Sequence, residues 1–186
     1  MITPELIQQY PFFAGLDYNQ ITILAKAADE ITVNTGHYFF KEGDVLKHFY
    51  MLSEGKVAIV IGVTDHSVEH KFSDQLTGHI KMNDVTVSIV EGGDFFGWSA
   101  LIPPYLATAG VKTMTPCRLI VFNCEELLKK FQEDHLFGYL MTQKIAQVSQ
   151  QRIHDLYIEF LDSIERGMNE INHVNAFQKG YQEIKK

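Results

Sequence analysis

Apolar and polar residues change their period twice along this chain. Up to Ala28 the apolar positions recur at helical spacing. Thr3 stands before Pro4 and Glu5, the order of an N-cap followed by a proline in the first turn, and Leu6, Ile7 and Tyr10 give that short helix one apolar face. Asp17 caps a second helix running to Ala28, with Ile21, Leu24, Ala25 and Ala28 on its inner side. From Asp29 the pattern becomes that of strands punctuated by glycine turns. Ile31–Val33 ends at Asn34-Thr35-Gly36, His37–Lys41 at Glu42-Gly43-Asp44, and His48–Leu52 at Ser53-Glu54-Gly55. Lys56–Ile61 is rich in β-branched residues, Val85–Val90 resumes the pattern, and Gly110–Thr115 and Arg118–Phe122 are parted at Pro116. Strands at intervals of about ten residues, each closed by a glycine turn, predict a mainly β fold with flanking helices, a β-roll or jelly roll.

Helical spacing then returns. Asn123 caps Cys124–Phe131, whose Glu125 and Glu126 sit in the first turn where the helix dipole favours them, and Asp134 opens a long final helix. Within it Ile153, Phe160, Gly167 and Val174 recur every seven residues, with Tyr157, Ile164 and Ile171 at the complementary offset. A seam of about three heptads is the shortest that reads as a coiled coil, and Gly167 weakens it by about 1 kcal/mol relative to alanine. Leu140–Val148 is expected to face the β domain. The seam beyond it has little of its own domain left to pack on, so we expect a homodimer through this helix; the alternative is a helix folded back on its own domain. The expected division is a β-roll with its N-terminal helices over 1–135 and a dimerisation helix and tail over 136–186. The stretch from Gly62 to Asp84 is expected to be a solvated loop, with an extended hairpin as the alternative.

Composition narrows the function. The 186 residues suit one domain with an appendage, and 46% hydrophobic content with 13 Phe and 8 Tyr is enough to fill a core. The chain has no apolar run of about 18 residues and no basic-then-apolar leader in MITPELIQQYPFF, so the expectation is a cytoplasmic protein without a membrane partner. A formal net charge of −7 with no clustered Lys or Arg argues against nucleic acid as a partner. Cys117 and Cys124 form no metal motif and are expected to be small buried residues. No Walker loop or dinucleotide fingerprint is present, and Asp94, Ser99 and a histidine fall in no triad order, so an enzyme is not expected and no cofactor is assigned.

The informative stretch is Gly92–Ala109, GGDFFGWSALIPPYLATA. Gly97, between Phe96 and Trp98, suits a positive φ. Ser99-Ala100-Leu101 suits one helical turn whose free N–H groups favour an anion, and Pro103-Pro104 ends it. This stretch resembles the phosphate-binding cassette of the cyclic nucleotide-binding domain, as in the catabolite activator and nitrate/fumarate regulator superfamily. The family pattern is F-G-E-hydrophobic-A/G-L, a short gap, then R-x-A or R-T-A. Here Phe96, Gly97, Trp98, Ser99, Ala100 and Leu101 occupy the first half and Leu106, Ala107, Thr108 and Ala109 the second. Pro11-Phe12-Phe13, Gly15-Leu16 and the spacing of Gly43, Gly55 and Gly93 resemble the same family, over residues 10 to about 160.

The resemblance implies a non-enzymatic sensor or regulator built on the cyclic nucleotide-binding β-roll. It also implies two replacements. The family glutamate, which accepts from the ribose 2′-hydroxyl, falls on Trp98, and the family arginine, which pairs with the cyclic phosphate, falls on Leu106 or Ala107 according to the gap. An arginine–phosphate contact is charge-assisted and contributes about 1.5–3 kcal/mol when shielded from water. The expected ligand is therefore a small signalling molecule other than a cyclic nucleotide, or a cyclic nucleotide only weakly, with Trp98 as a stacking face and Thr108 as a hydroxyl. A second reading is a ligand-free dimeric module for protein partners, with Trp98 filling the pocket. A third, a haem or redox sensor of the kind the superfamily also contains, rests on His66, His70 and His79. Family transcription factors carry a winged helix-turn-helix after this domain. The residues after Gly138 show one helical pattern, so none is expected here.

Overall fold

The computed structural model describes residues 2–64 and 82–183, with side chains of the last helix described to residue 166. It opens with helices α1 (Pro4–Gln8) and α2 (Tyr18–Lys26). Both start at the expected caps. Thr3 accepts from the Leu6 N–H, and Asp17 accepts from the Gln20 N–H at 2.8 Å while the Gln20 carboxamide accepts from the Asp17 N–H at 3.1 Å. This reciprocal box satisfies two N–H groups that the helix itself cannot. The second helix stops at Lys26 rather than Ala28, because Ala28 pairs with Phe122 and begins β1 (Ala28–Val33).

The strands β1, β2 (Tyr38–Phe40), β3 (His48–Glu54), β4 (Lys56–Thr64), β5 (Met82–Glu91), β6 (Phe95–Phe96), β7 (Gly110–Thr113) and β8 (Cys117–Asn123) make two four-stranded antiparallel sheets. The first has the order β1-β8-β3-β6 and the second β2-β7-β4-β5. This is the mainly β roll expected from the glycine-punctuated strands. Gly55 turns β3 into β4 at φ +98°, and a Cβ there would lie 2.5 Å from the Pro116 carbonyl oxygen, so no other residue fits. The loop expected from Gly62 to Asp84 is shorter than that: β4 and β5 stay paired out to Thr64 and Met82, which makes this region an extended hairpin at its described ends. His66, His70 and His79 lie outside the described residues.

Side-chain alternation along β3 separates two interiors. Phe49 and Met51 are buried on one side, with Phe49 stacked on Phe122 at 4.4 Å and within 6.3 Å of Phe95. Phe13 meets Phe95 edge-on at 5.5 Å, and Ile21, Leu24, Leu127, Phe137 and Met141 belong to the same core. A buried phenylalanine of this kind contributes about 1.5–3 kcal/mol of transfer free energy. His48 and Tyr50 point to the opposite face.

Helix α3 (Cys124–Glu133) starts at Asn123, whose carboxamide oxygen accepts from the N–H groups of Glu125 and Glu126. Asp134 ends α3 and caps α4 (His135–Glu183), accepting from the Phe137 N–H at 2.9 Å. Cys117 and Cys124 are free and buried, as expected, and burial pushes the Cys124 thiol up to about 12. The chain divides into compact units Met1–Ile145 and Ala146–Lys186. In the first, Phe137, Met141 and Ile145 of α4 enter the core, so the stretch expected to face the roll does so at Met141 and Ile145. In the second, Ile153, Tyr157, Phe160 and Ile164 of the heptad seam are exposed. Gly167, Ile171 and Val174 continue the same helix, with their side chains outside the described residues.

Candidate functional site

The cassette is hung from β3. Phe95 and Phe96 pair with Met51 and Tyr50, and the turn before them is tied to Leu52, whose carbonyl accepts from Gly93 at 2.7 Å and whose N–H donates to Asp94 at 2.9 Å. Gly97 then takes φ +76°. A Cβ on it would meet the His48 carbonyl oxygen and the Tyr50 ring at 3.2 Å and the Phe40 ring at 3.4 Å, so both the conformation and the space require glycine. Trp98–Leu101 forms the expected single turn, a 3-10 turn closed by Ala100 N–H to Gly97 at 3.0 Å and Ile102 N–H to Ser99 at 3.1 Å. Ala100 and Leu101 bury themselves in the core.

A second turn reverses the chain. Tyr105 N–H donates to the Ile102 carbonyl at 2.8 Å across a cis Pro103–Pro104 bond, and Tyr105 itself sits at φ +63°, uncommon for an aromatic residue. Beyond it the backbone is stitched to the Lys41–Leu46 loop. Leu46 N–H donates to Tyr105 at 2.8 Å, Gly43 N–H to Ala107 and Ala107 N–H to Asp44 each at 2.9 Å, and Val45 bridges Leu106. Asp44 holds that loop in turn by accepting from the Lys41 N–H at 2.8 Å.

The structure therefore brings the candidate residues together as one folded segment and gives them different surroundings. Phe96 and Ala100 are fully buried. Trp98, on which the resemblance is expected to place the family glutamate, is half-buried and packed against the core. Leu106 is 40% exposed and Ala107 only 4%, so the two positions on which the family arginine is expected to fall have different environments. Ala109 is half-buried and Thr108 is exposed. Residues 96–109 hold no carboxylate, amine, guanidinium or imidazole. What remains for a ligand is shape, an indole, hydroxyls and backbone N–H groups.

Behind Gly97 lies an aromatic cluster that sequence reading did not single out. Tyr50 stacks on Phe96 at 4.9 Å, Phe39 lies 5.0 Å from Tyr50 and 5.1 Å from Phe96, and Phe40 is 6.3 Å from both Tyr50 and Phe96. Burial, and secondarily the nearby Cys124, raises the Tyr50 phenol above its ordinary value. The alternation of His48 and Tyr50 with Phe49 and Met51 was the available signal. Among the described residues no three His, Cys, Asp or Glu side chains are grouped to hold a metal ion, and no helix is long and apolar enough to cross a membrane.

Residues 30–134 match the family model described as the cyclic nucleotide-binding domain. A cAMP-dependent protein kinase regulatory subunit from Schizosaccharomyces pombe is 24% identical over 123 residues, covering 66% of this chain and 25% of the relative, so the chain spans about a quarter of that protein. A putative cyclic nucleotide-binding protein from Geobacter metallireducens GS-15 is 26% identical with a TM-score of 0.67, covering 83% of this chain and 100% of that one. In fold alone the chain is also similar, at TM-score 0.59 and 20% identity over 84% of its length and 49% of the other, to a regulatory subunit of a cAMP-independent protein kinase A from Trypanosoma brucei. That protein was solved as a triple mutant with an introduced arginine and cAMP in its A site.

Proposed function

Because the chain belongs to the cyclic nucleotide-binding domain family, we propose that it is a regulatory sensor domain whose cassette has lost nucleotide recognition and reads a different small ligand. The observation that carries this is the side-chain content of the folded cassette: Trp98 against the core where the family has an acid, and Leu106 and Ala107 where it has an arginine. The family arginine supplies about 1.5–3 kcal/mol toward a cyclic phosphate, roughly ten- to a hundredfold in affinity, and nothing charged in residues 96–109 replaces it. The cAMP-independent Trypanosoma subunit, whose cAMP-bound form carries an added arginine, is consistent with that arithmetic. The domain acts by binding and not by catalysis. The ligand site belongs to the roll and its N-terminal helices, residues 1–135, and the helix from 136 onward joins a second copy of the chain through Ile153, Tyr157, Phe160 and Ile164.

The aromatic cluster of Phe39, Phe40, Tyr50 and Phe96 behind Gly97 favours a second reading, a filled roll that serves only as a dimeric interaction module. Titration with cAMP and cGMP tests the main reading. Trp98 is the chain's one tryptophan and lies in the cassette, so its fluorescence is a local reporter. No saturable change is expected below about 1 mM nucleotide, and a micromolar transition would overturn the loss of nucleotide recognition. Sedimentation equilibrium tests the dimer: the wild type is expected as a dimer and Phe160→Glu as a monomer, and a monomeric wild type would remove that part of the proposal.

A further inference from the structure

On the far side of Gly97 from the cassette turn, the chain forms an open recess of about 330 Å³ lined by Phe39, Phe40, Asp44, Val45, Leu46, Lys47, His48 and Tyr50. Its chemistry is unlike that of the core on the other side of β3. The floor is aromatic, from Phe39, Phe40 and Tyr50, and it is only partly covered by protein: Phe39 and Tyr50 are half-buried. The Tyr50 hydroxyl makes no hydrogen bond among the described residues, although its ring is stacked and held. The hydroxyl still reaches solvent, and with no partner in the fold it is free to donate to a bound molecule. Val45 stands on the rim at 68% exposure, an apolar side chain with nothing packed on it in this fold.

The recess carries both signs of charge, Lys47 and Asp44, and neither makes an ion pair among the described residues. Lys47 and His48 line it, and His48 stands 6.4 Å from the Tyr50 ring. Asp44 lines it too and accepts from the Lys41 N–H at 2.8 Å, a contact that orients its carboxylate and leaves its charge in place. Glu125 also feels the Lys47 charge, and its oxygen already accepts from Lys129 at 2.9 Å. A volume of this size lies at the lower end of small-molecule pockets and suits one or two fused rings.

We propose that this recess is a binding site for a flat aromatic carboxylate. The ring lies over Phe39 and Tyr50, the carboxylate faces Lys47 and His48, and the Tyr50 hydroxyl donates to one carboxylate oxygen. The proposal deepens the sensor reading and rests on it, because the recess wall is continuous with the cassette. The loop Asp44–Leu46 forms one side of the recess and is hydrogen-bonded to Tyr105 and Ala107, and the Gly97 backbone lies against the Tyr50 ring. Occupancy therefore bears on the segment that carries Trp98, which gives a route from ligand to cassette without a nucleotide.

Isothermal titration of the full chain with naphthoate, and with naphthalenemethanol as its uncharged counterpart, tests the proposal. Saturable one-site binding of naphthoate is expected, tighter than the alcohol. Tyr50→Phe keeps the ring and removes the donor, so it should weaken naphthoate about three- to tenfold at unchanged melting temperature. Lys47→Ala should weaken it about two- to fivefold and reduce its salt dependence. Absence of saturable binding up to about 10 mM naphthoate overturns the proposal, as does binding that neither substitution changes. A parallel titration with cAMP keeps the two claims apart: tight cAMP binding sinks the sensor reading whatever naphthoate does, whereas naphthoate failure with no cAMP binding sinks the recess alone.

Discussion

Two neighbouring residues of β3 each stack on an aromatic ring, and the two stacks differ in everything else. Phe49 lies on Phe122 at 4.4 Å with the rings 7° from parallel, and Tyr50 lies on Phe96 at 4.9 Å with the rings 9° from parallel. The first pair is fully buried beside Phe13 and Phe95, with no polar side chain to satisfy. The second is half-open, carries a hydroxyl without a partner, and borders Lys47, His48 and the one cassette residue that must be glycine. Equal geometry with unequal exposure separates a packing interface, where only volume matters, from a surface where chemistry is held ready. The first half of β3 thus serves as a partition, with Phe49 and Met51 building the fold and His48 and Tyr50 facing the recess.

Substitutions on the two sides should part accordingly. Phe49→Ala leaves a cavity in a close-packed interior and should cost about 3–5 kcal/mol, read as a lowered midpoint in denaturant unfolding at unchanged slope. Gly97→Ala asks an L-residue to hold φ +76° with its Cβ against the His48 carbonyl and two rings, and should cost about 1–3 kcal/mol in the same experiment. Loss of the α3 cap in Asn123→Ala, which frees two N–H groups that the carboxamide now satisfies, should cost about 1 kcal/mol. Tyr50→Phe should be the mildest, within about 0.5 kcal/mol, because it removes a hydroxyl that bonds to nothing in the fold. If Tyr50→Phe unfolds the protein as Phe49→Ala does, the two sides of β3 are not different in kind.

Titration sharpens the same contrast. The Tyr50 phenol is raised in the folded chain, so the fold favours its neutral form. That preference is fully present below the ordinary tyrosine range and is lost as pH rises through the folded value. Spectrophotometric titration of wild type against Tyr50→Phe should therefore show the missing phenol as one ionising later than an exposed tyrosine. Early ionisation of that group would place Tyr50 in solvent and remove the half-buried recess.

Much of this was legible in the chain itself. Glycine turns marked the strand ends, and Thr3, Asp17 and Asn123 announced helix starts because capping is a local hydrogen bond between near neighbours. The positive φ of Gly97 and the single turn after it were readable for the same reason, because both are local geometry. Long-range pairing was not. β1 begins at Ala28 only because Phe122 arrives beside it, and β4 and β5 extend past Gly62 and Asp84 because each supplies the other's hydrogen bonds. The exposure of Thr108 and the meeting of Phe39, Tyr50, Phe96 and Gly97 depend on the packing of two sheets, which no residue spacing encodes.

The central claim is that a sound cassette frame lacks only its two chemical groups, and restoring them tests it directly. Calorimetric titration with cAMP should be run on two double variants, Trp98→Glu with Leu106→Arg and Trp98→Glu with Ala107→Arg, beside the wild type. At least one folded variant should bind cAMP about tenfold or more tighter than the wild type, the gain expected of a charge-assisted phosphate contact. Two well-folded variants that both ignore cAMP, or a wild type that already binds it as tightly, would contradict the account.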